Sequence, residues 1–272
     1  MIIDTHTHVV ATDEERYPLR CSTTDPADPS SWPLHARVTA DELAAQMQRC
    51  GVARACLVQG WAAYQFDNRY TLAAAENDPA HFISVCAVDT QDPQAPAQLE
   101  AMTAKPRLRG VRLVSGFMQG DDSLDSAGAQ DVWDAADRLG LVVAAFTLGD
   151  QLDSFIAAAR SHTQHAVVLD HCAFVDVAKD FERLSPLAQL ENVHLKVSTR
   201  VLSQGDPAGI VRQLADRFGA DRLLWGSDFP ASHERGYGDW VALARAGTAK
   251  LSGDEADQFL SGTALELWPE LA

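Results

Sequence analysis

The feature that most limits what this chain can fold into is a repeat. Short apolar runs start near residues 2, 53, 82, 109, 141, 166, 193 and 222, and every separation after the first lies between 25 and 32 residues. Between the runs, apolar residues recur at helical spacing. The clearest case takes Asp206 as N-cap and Pro207 at the first helical position, then sets Ile210, Val211, Leu214 and Phe218 on one face. Strand, helix and strand again require parallel pairing with right-handed crossovers, and eight such units are what close a (β/α)8 barrel. A doubly wound open sheet shares the alternation, but it would carry a glycine-rich phosphate loop after an early strand, and the sequence has none.

The first separation, 51 residues, is longer than the rest. Its surplus falls in 11–38, a stretch rich in Pro, Asp, Ser and Thr. A loop of that length in a compact fold is expected to serve as a lid or binding loop. Thr39 and Glu42 then form a capping box that opens a helix ending at Gly51. From Ser252, with Glu255 completing a second capping box, the tail predicts extra C-terminal helices packed on the barrel. No linker composition interrupts the chain, so residues 1–272 are expected to form a single domain.

Composition narrows the partners. A net charge of −16 without a basic cluster argues against nucleic acid, and it means that an anionic small-molecule substrate needs local arginines. No apolar run is long enough to span a bilayer, and the chain enters a strand at its second residue with no basic start, so neither a membrane partner nor a signal peptide is expected. The five cysteines show no metal or disulfide spacing and read as free thiols in a reducing cytoplasm. A homo-oligomer stays open.

In such a barrel the active site lies at the C-terminal ends of the strands. The first strand carries Asp4, His6 and His8 at spacing two, which in an extended segment puts all three on one face. The second ends in Gln59, the fourth carries Arg112, and the sixth ends in Asp170 and His171. The seventh holds His194, Lys196 and Ser198, and the eighth ends in Trp225-Gly226-Ser227-Asp228-Phe229-Pro230. One such histidine would be an ordinary structural residue; the convergence of several strand ends is not explained by packing. Arg112 has two readings, a rim salt bridge or a bidentate clamp on a substrate carboxylate, with Arg16, Arg20 and Arg200 as supplements. Cys172 next to His171 suggests a cysteine nucleophile, but adjacent strand residues face opposite ways, which argues against it.

Asp-Thr-His-Thr-His at the first strand, Asp-His at the sixth and Trp-Gly-Ser-Asp-Phe-Pro at the eighth resemble the amidohydrolase superfamily, specifically its amidohydrolase-2 branch, over nearly the whole chain. That resemblance implies a hydrolase or, in some relatives, a metal-dependent nonoxidative decarboxylase. The branch's decarboxylases place a histidine at the end of strand five, where this chain has Val143-Ala144-Ala145-Phe146-Thr147. The subgroup of 2-pyrone-4,6-dicarboxylate lactonase, sulfomuconolactonase and L-fuconolactonase lacks it too. This chain is similar to that subgroup in Arg16-Tyr17-Pro18, in Gly110-Val111-Arg112 and in the Lys-x-Ser of Lys196 and Ser198. A lactonase opening a small carboxylated cyclic ester is therefore expected, with decarboxylation as the alternative. Asp228 is the expected general base, and His6, His8 and His171 polarise the carbonyl, either directly or through one divalent metal, zinc by preference, held by these three and Asp228. Arg112, Arg16, Lys196, Ser198, Gln59 and Arg200 are the expected substrate contacts.

Overall fold

The structure, a computed structural model, describes residues 1–116 and 118–272. Eight parallel strands run in sequence order: β1 (Ile3–Thr7), β2 (Arg54–Val58), β3 (Phe82–Ala87), β4 (Leu108–Val114), β5 (Val142–Phe146), β6 (Val167–Leu169), β7 (Val193–Ser198) and β8 (Leu223–Gly226). Each strand is covered on both faces, which is why its sequence is a nearly continuous apolar run rather than an alternation. The sheet closes between β8 and β1, where His8 N donates to Phe229 O and Asp228 N to His6 O, each at 2.8 Å. The predicted (β/α)8 barrel is the observed fold.

The helix signals sit where the sequence puts them. Thr39 and Glu42 form the reciprocal capping box of helix Ala40–Cys50, and Gly51 ends it in the left-handed conformation at φ 72°. Asp206 caps Pro207–Phe218 by accepting from Ala208 N. The Ser252 and Glu255 box opens the C-terminal helices. Their end, through Ala264, Trp268 and Leu271, packs on the interior cluster of Ile3, Cys56, Ile83, Val85, Val168 and Leu224. That end of the barrel is therefore filled with apolar side chains, each contributing roughly 1.5–3 kcal/mol when fully buried. The other end carries the polar residues. No helix among the described residues is long and apolar enough to cross a membrane.

One expectation about β1 fails. Its pairing with β2 shifts register between Asp4 and Thr7. The irregularity breaks the alternation, so Ile3 rather than Asp4 shares the interior with His6. Asp4 instead accepts from Ser227 N (2.8 Å), His6 N (3.1 Å) and Tyr237 Oη (3.0 Å), tying β1 to the turn after β8. Burial raises its carboxyl to about 6 against the opposing pull of those bonds.

Candidate active site

The site is built around one carboxylate oxygen. Asp228 leaves β8 in the left-handed conformation (φ 57°), which aspartate tolerates better than most residues. Its Oδ1 lies 3.4 Å from His8 Nε2, 3.7 Å from His6 Nε2 and 4.0 Å from His171 Nε2. Its Oδ2 accepts from Arg200 Nε and, at 3.1 Å, from Ser232 Oγ. Burial alone would raise the Asp228 pKa, yet the imidazoles and Arg200 hold it well below the usual carboxylate range. Of these causes Arg200 is the permanent cation, since a guanidinium keeps its charge at any ordinary pH. Gly226 makes the approach of β8 possible, since a Cβ there would sit 2.6 Å from the Cβ of His6.

The three histidines are held differently. His8 Nδ1 lies 2.9 Å from the Val58 carbonyl, which can only accept, so Nδ1 carries the proton and Nε2 faces Asp228. Trp32 stacks on the same ring, centroids 5.6 Å apart. His6 is fully buried and packs edge-on against His8 at 4.9 Å. Its Nδ1 is 3.1 Å from Lys196 Nζ and 3.5 Å from Asp170 Oδ1, and Lys196 Nζ is itself 2.8 Å from that oxygen. A protonated Nδ1 would confront an ammonium, so Nδ1 accepts and the proton lies on Nε2. That Nε2 has no hydrogen-bond partner among the described residues. Burial pushes the His6 pKa well below 6.5, with Asp170 opposing.

His171 comes from a segment that departs from both helix and strand. Residues His171, Cys172, Ala173 and Phe174 all have φ between 51° and 55°, a left-handed turn with no glycine in it. It places both His171 and Phe174 on one cavity wall. Burial lowers the His171 pKa to about 4. Cys172 is discounted as a nucleophile for a different reason from the strand alternation: the segment is not a strand, and burial raises the thiol to about 12.

Above Asp228 lies a cavity of about 240 Å³. His8, His171, Asp228, Arg112 and Arg200 line it together. Arg112 donates from Nε to Asp170 Oδ2 (2.9 Å), its guanidinium lies 4.1 Å from the Phe146 ring centroid, and it makes no other hydrogen bond among the described residues. The salt-bridge reading of this arginine is thus what the structure shows, and it engages Nε while the terminal nitrogens make no hydrogen bond among the described residues. From the long loop, Pro29, Ser30 and Trp32 contribute to the wall.

The structure does not bring four expected substrate contacts to the wall. Gln59 is spent inside the loop after β2, donating to the carbonyls of Gln65 (2.9 Å) and Asp67 (3.1 Å) and accepting from Thr71 (2.6 Å). Ser198 is fully buried. Lys196 is 1% exposed and serves Asp170 and His6 instead. Arg16 sits in the exposed loop against Tyr17, 5.1 Å from its ring centroid. What sequence reasoning missed is the aromatic wall of Trp32, Trp61, Phe146 and Phe174. The one available signal is Trp61, directly after the Gly60 that follows β2.

In type and spacing the donors suit a small divalent cation. Zinc bonds of about 2.0–2.1 Å in a tetrahedron put neighbouring ligand atoms roughly 3.3 Å apart, close to the 3.4 and 3.7 Å seen here. His6, His8 and Asp228 form one potential ligand group, and His6, Asp170 and His171 another. His8 is ready to coordinate; His6 is so only after its proton moves to Nδ1, beside Lys196.

The amidohydrolase family model, Amidohydro_2, matches residues 3–269. L-fucono-1,5-lactonase of Burkholderia ambifaria is 30% identical over 225 residues, 77% of this chain and 77% of that one. Among solved structures, an amidohydrolase from Burkholderia multivorans with bound zinc superposes with a TM-score of 0.78 at 23% identity, covering 99% of both chains. A probable 2-pyrone-4,6-dicarboxylic acid hydrolase from Acinetobacter baumannii with citric acid bound gives 0.79 at 19% identity, covering 98% of this chain and 99% of that one.

Proposed function

Because this chain belongs to the amidohydrolase family, we propose that it is a lactonase that opens a small carboxylated cyclic ester, with Asp228 as the general base. The observation that carries this reading is the convergence of three imidazole Nε2 atoms within 4.0 Å of one oxygen of a buried, ionised carboxylate. The lactonase relative supports the reaction class.

Arg112 binds the substrate carboxylate through its terminal nitrogens, which orients the ring with its carbonyl oxygen toward His8 and His171 on the cavity wall, with His6 buried beneath them. His6 Nε2–H, fixed as a donor by Lys196 behind it, adds its dipole from below to the stabilisation of the negative charge that develops on that oxygen. Water adds to the carbonyl carbon as Asp228 Oδ1 takes its proton. The ring C–O bond then breaks, and Asp228 returns the proton to the departing oxygen, leaving a hydroxy acid. Arg200 and Ser232 hold Oδ2 so that Oδ1 faces the water. Where a divalent metal is bound, His6, His8, His171 and Asp228 would hold it, and it would supply Lewis-acid polarisation of the carbonyl.

The test is hydrolysis of a lactone panel followed by acid release, with Asp228→Asn as the variant. Turnover is expected to fall at least about a hundredfold while circular dichroism stays unchanged. Near wild-type turnover in a folded variant would exclude Asp228 as the base. Carbon dioxide released from an aromatic acid, with no lactone opened, would replace hydrolysis by decarboxylation.

A further inference from the structure

The relatives named above span two very different ring chemistries, a neutral hydroxylated sugar lactone and a doubly carboxylated pyrone. The walls and charges of this chain's cavity suit neither ring. Away from Asp228 and the histidines, its wall is formed largely by Trp32, Trp61, Phe146, Leu148 and Phe174. Among the described lining residues Ser30 carries the one hydroxyl, and it already donates to Asp28 Oδ1 at 2.6 Å. A sugar ring buried here would leave the hydroxyls that face these aromatic and aliphatic walls without partners, and each of those costs roughly tenfold in affinity. Flat unsaturated or apolar rings lose nothing against such walls.

The charges point to a single carboxylate. Asp170 is matched by Lys196 at 2.8 Å, and Asp228 by Arg200. Asp4 faces neutral donors on the outer side of the β8 turn. Arg112 is then the cation whose charge no carboxylate cancels alone, because it shares Asp170 with Lys196. Arg200 is a poorer site for a second anionic group, because its charge is already matched by Asp228 on its Nε and Glu234 adds a further negative charge beside it, so a second carboxylate there would face two fixed ones. A chain of net charge −16 adds a general repulsion of polyanions.

We propose that the substrate is a monoanionic, hydroxyl-poor lactone with a flat ring, its one carboxylate on Arg112 and its ring between the aromatic walls. This rests on the lactonase reading of the site and narrows it. It separates this chain's specificity from that of the sugar lactonase with which it shares 30% identity.

Four probes decide it: 2-pyrone-6-carboxylate, unsubstituted 2-pyrone, 2-pyrone-4,6-dicarboxylate and L-fucono-1,5-lactone, each followed by acid release. The monocarboxylate is expected to exceed the dicarboxylate and the sugar lactone at least about a hundredfold in kcat/KM. In Arg112→Gln its advantage over neutral 2-pyrone should shrink to within about fivefold, because the clamp is what distinguishes the two. If the sugar lactone or the dicarboxylate is hydrolysed as fast or faster, the proposed specificity is overturned and the lactonase reading stands. If no probe is hydrolysed while an aromatic acid is decarboxylated, the lactonase reading falls and takes this inference with it. An Arg112→Gln variant that keeps the full preference for the monocarboxylate would also overturn the assignment.

Discussion

Replacing Lys196 with Met keeps the length of the side chain and removes its charge, and the structure fixes what should follow. Lys196 is 1% exposed and touches Asp170 and His6, so solvent does not screen the loss. Removing one partner of a buried ion pair costs about 3–5 kcal/mol. Arg112 still bonds the other oxygen of Asp170, which argues for the lower end, about 3 kcal/mol. At about 2–4 °C per kcal/mol for a chain of this size, melting should drop by about 6–12 °C. Without the ammonium, His6 Nδ1 is free to hold the proton and direct it at Asp170 Oδ1, now 3.5 Å away. Nε2 then loses its proton, and with it the dipole aimed from beneath at the reacting oxygen, so kcat should fall about tenfold, less than the roughly 10²–10³ lost with a donor in direct contact. The same tautomer is the one that coordinates metal, so zinc should bind more tightly to the variant than to the wild type. Nitrogen-15 spectra of the histidine rings read the tautomer directly, calorimetry reads zinc affinity, and steady-state kinetics separates kcat from KM. A folded variant with wild-type kcat, or a wild-type His6 already protonated at Nδ1, would refute the argument.

Arg112→Lys keeps the charge and loses the planar fork, so KM should rise about tenfold or more with a smaller effect on kcat; a fall in kcat alone would contradict the clamp. With the His171 pKa lowered to about 4, kcat/KM should stay flat from pH 7 to 5 and fall below that as the ring takes up a proton and pairs with Asp228; a midpoint near 6.5 in the rate profile would count against this. The unfolded imidazole protonates near 6.5 and the folded one near 4, so the neutral buried ring's contribution, about 3 kcal/mol, is lost as pH falls through that window, and His171→Asn should lose less stability there than the wild type. Stripping divalent metal with a strong chelator should leave lactone hydrolysis within about threefold, whereas complete loss restored by zinc would make His6, His8, His171 and Asp228 working ligands.

The barrel was legible because a closed parallel sheet buries both faces of every strand, leaving a long-period signal that no single turn or loop can mask. His6, His8, His171 and Asp228 were legible for a related reason: the fold sends each strand's C-terminal end to one place, so position along a strand stands in for position in space. That substitution works only while alternation holds. It fails at Asp4, where the irregularity against β2 changes which side chains face inward. Gln59 fails differently, since it ends its strand as expected but is captured by carbonyls of the loop that follows. The aromatic wall comes mostly from residues after the strands, whose direction depends on loop paths that periodicity does not encode.

The turn at His171 shows why this last part lies beyond sequence reasoning, and what it does for the site. Four consecutive non-glycine residues in the left-handed region cost roughly 1–2 kcal/mol each, and nothing in Asp-His-Cys-Ala-Phe announces such a turn. Had β6 simply continued, His171 and Cys172 would have faced opposite sides. The turn instead buries Cys172 and Ala173 in the packing between strands and helices, while His171 and Phe174 reach the cavity. Burial of the two small side chains offsets part of the strain. The remainder is sustained by the core around them and keeps the His171 ring beside Asp228 before any substrate arrives. A strained segment of this kind, placed where Asp228 and its imidazoles meet, is what a site needs in order to hold its polar groups in position without reorganising when a ligand arrives.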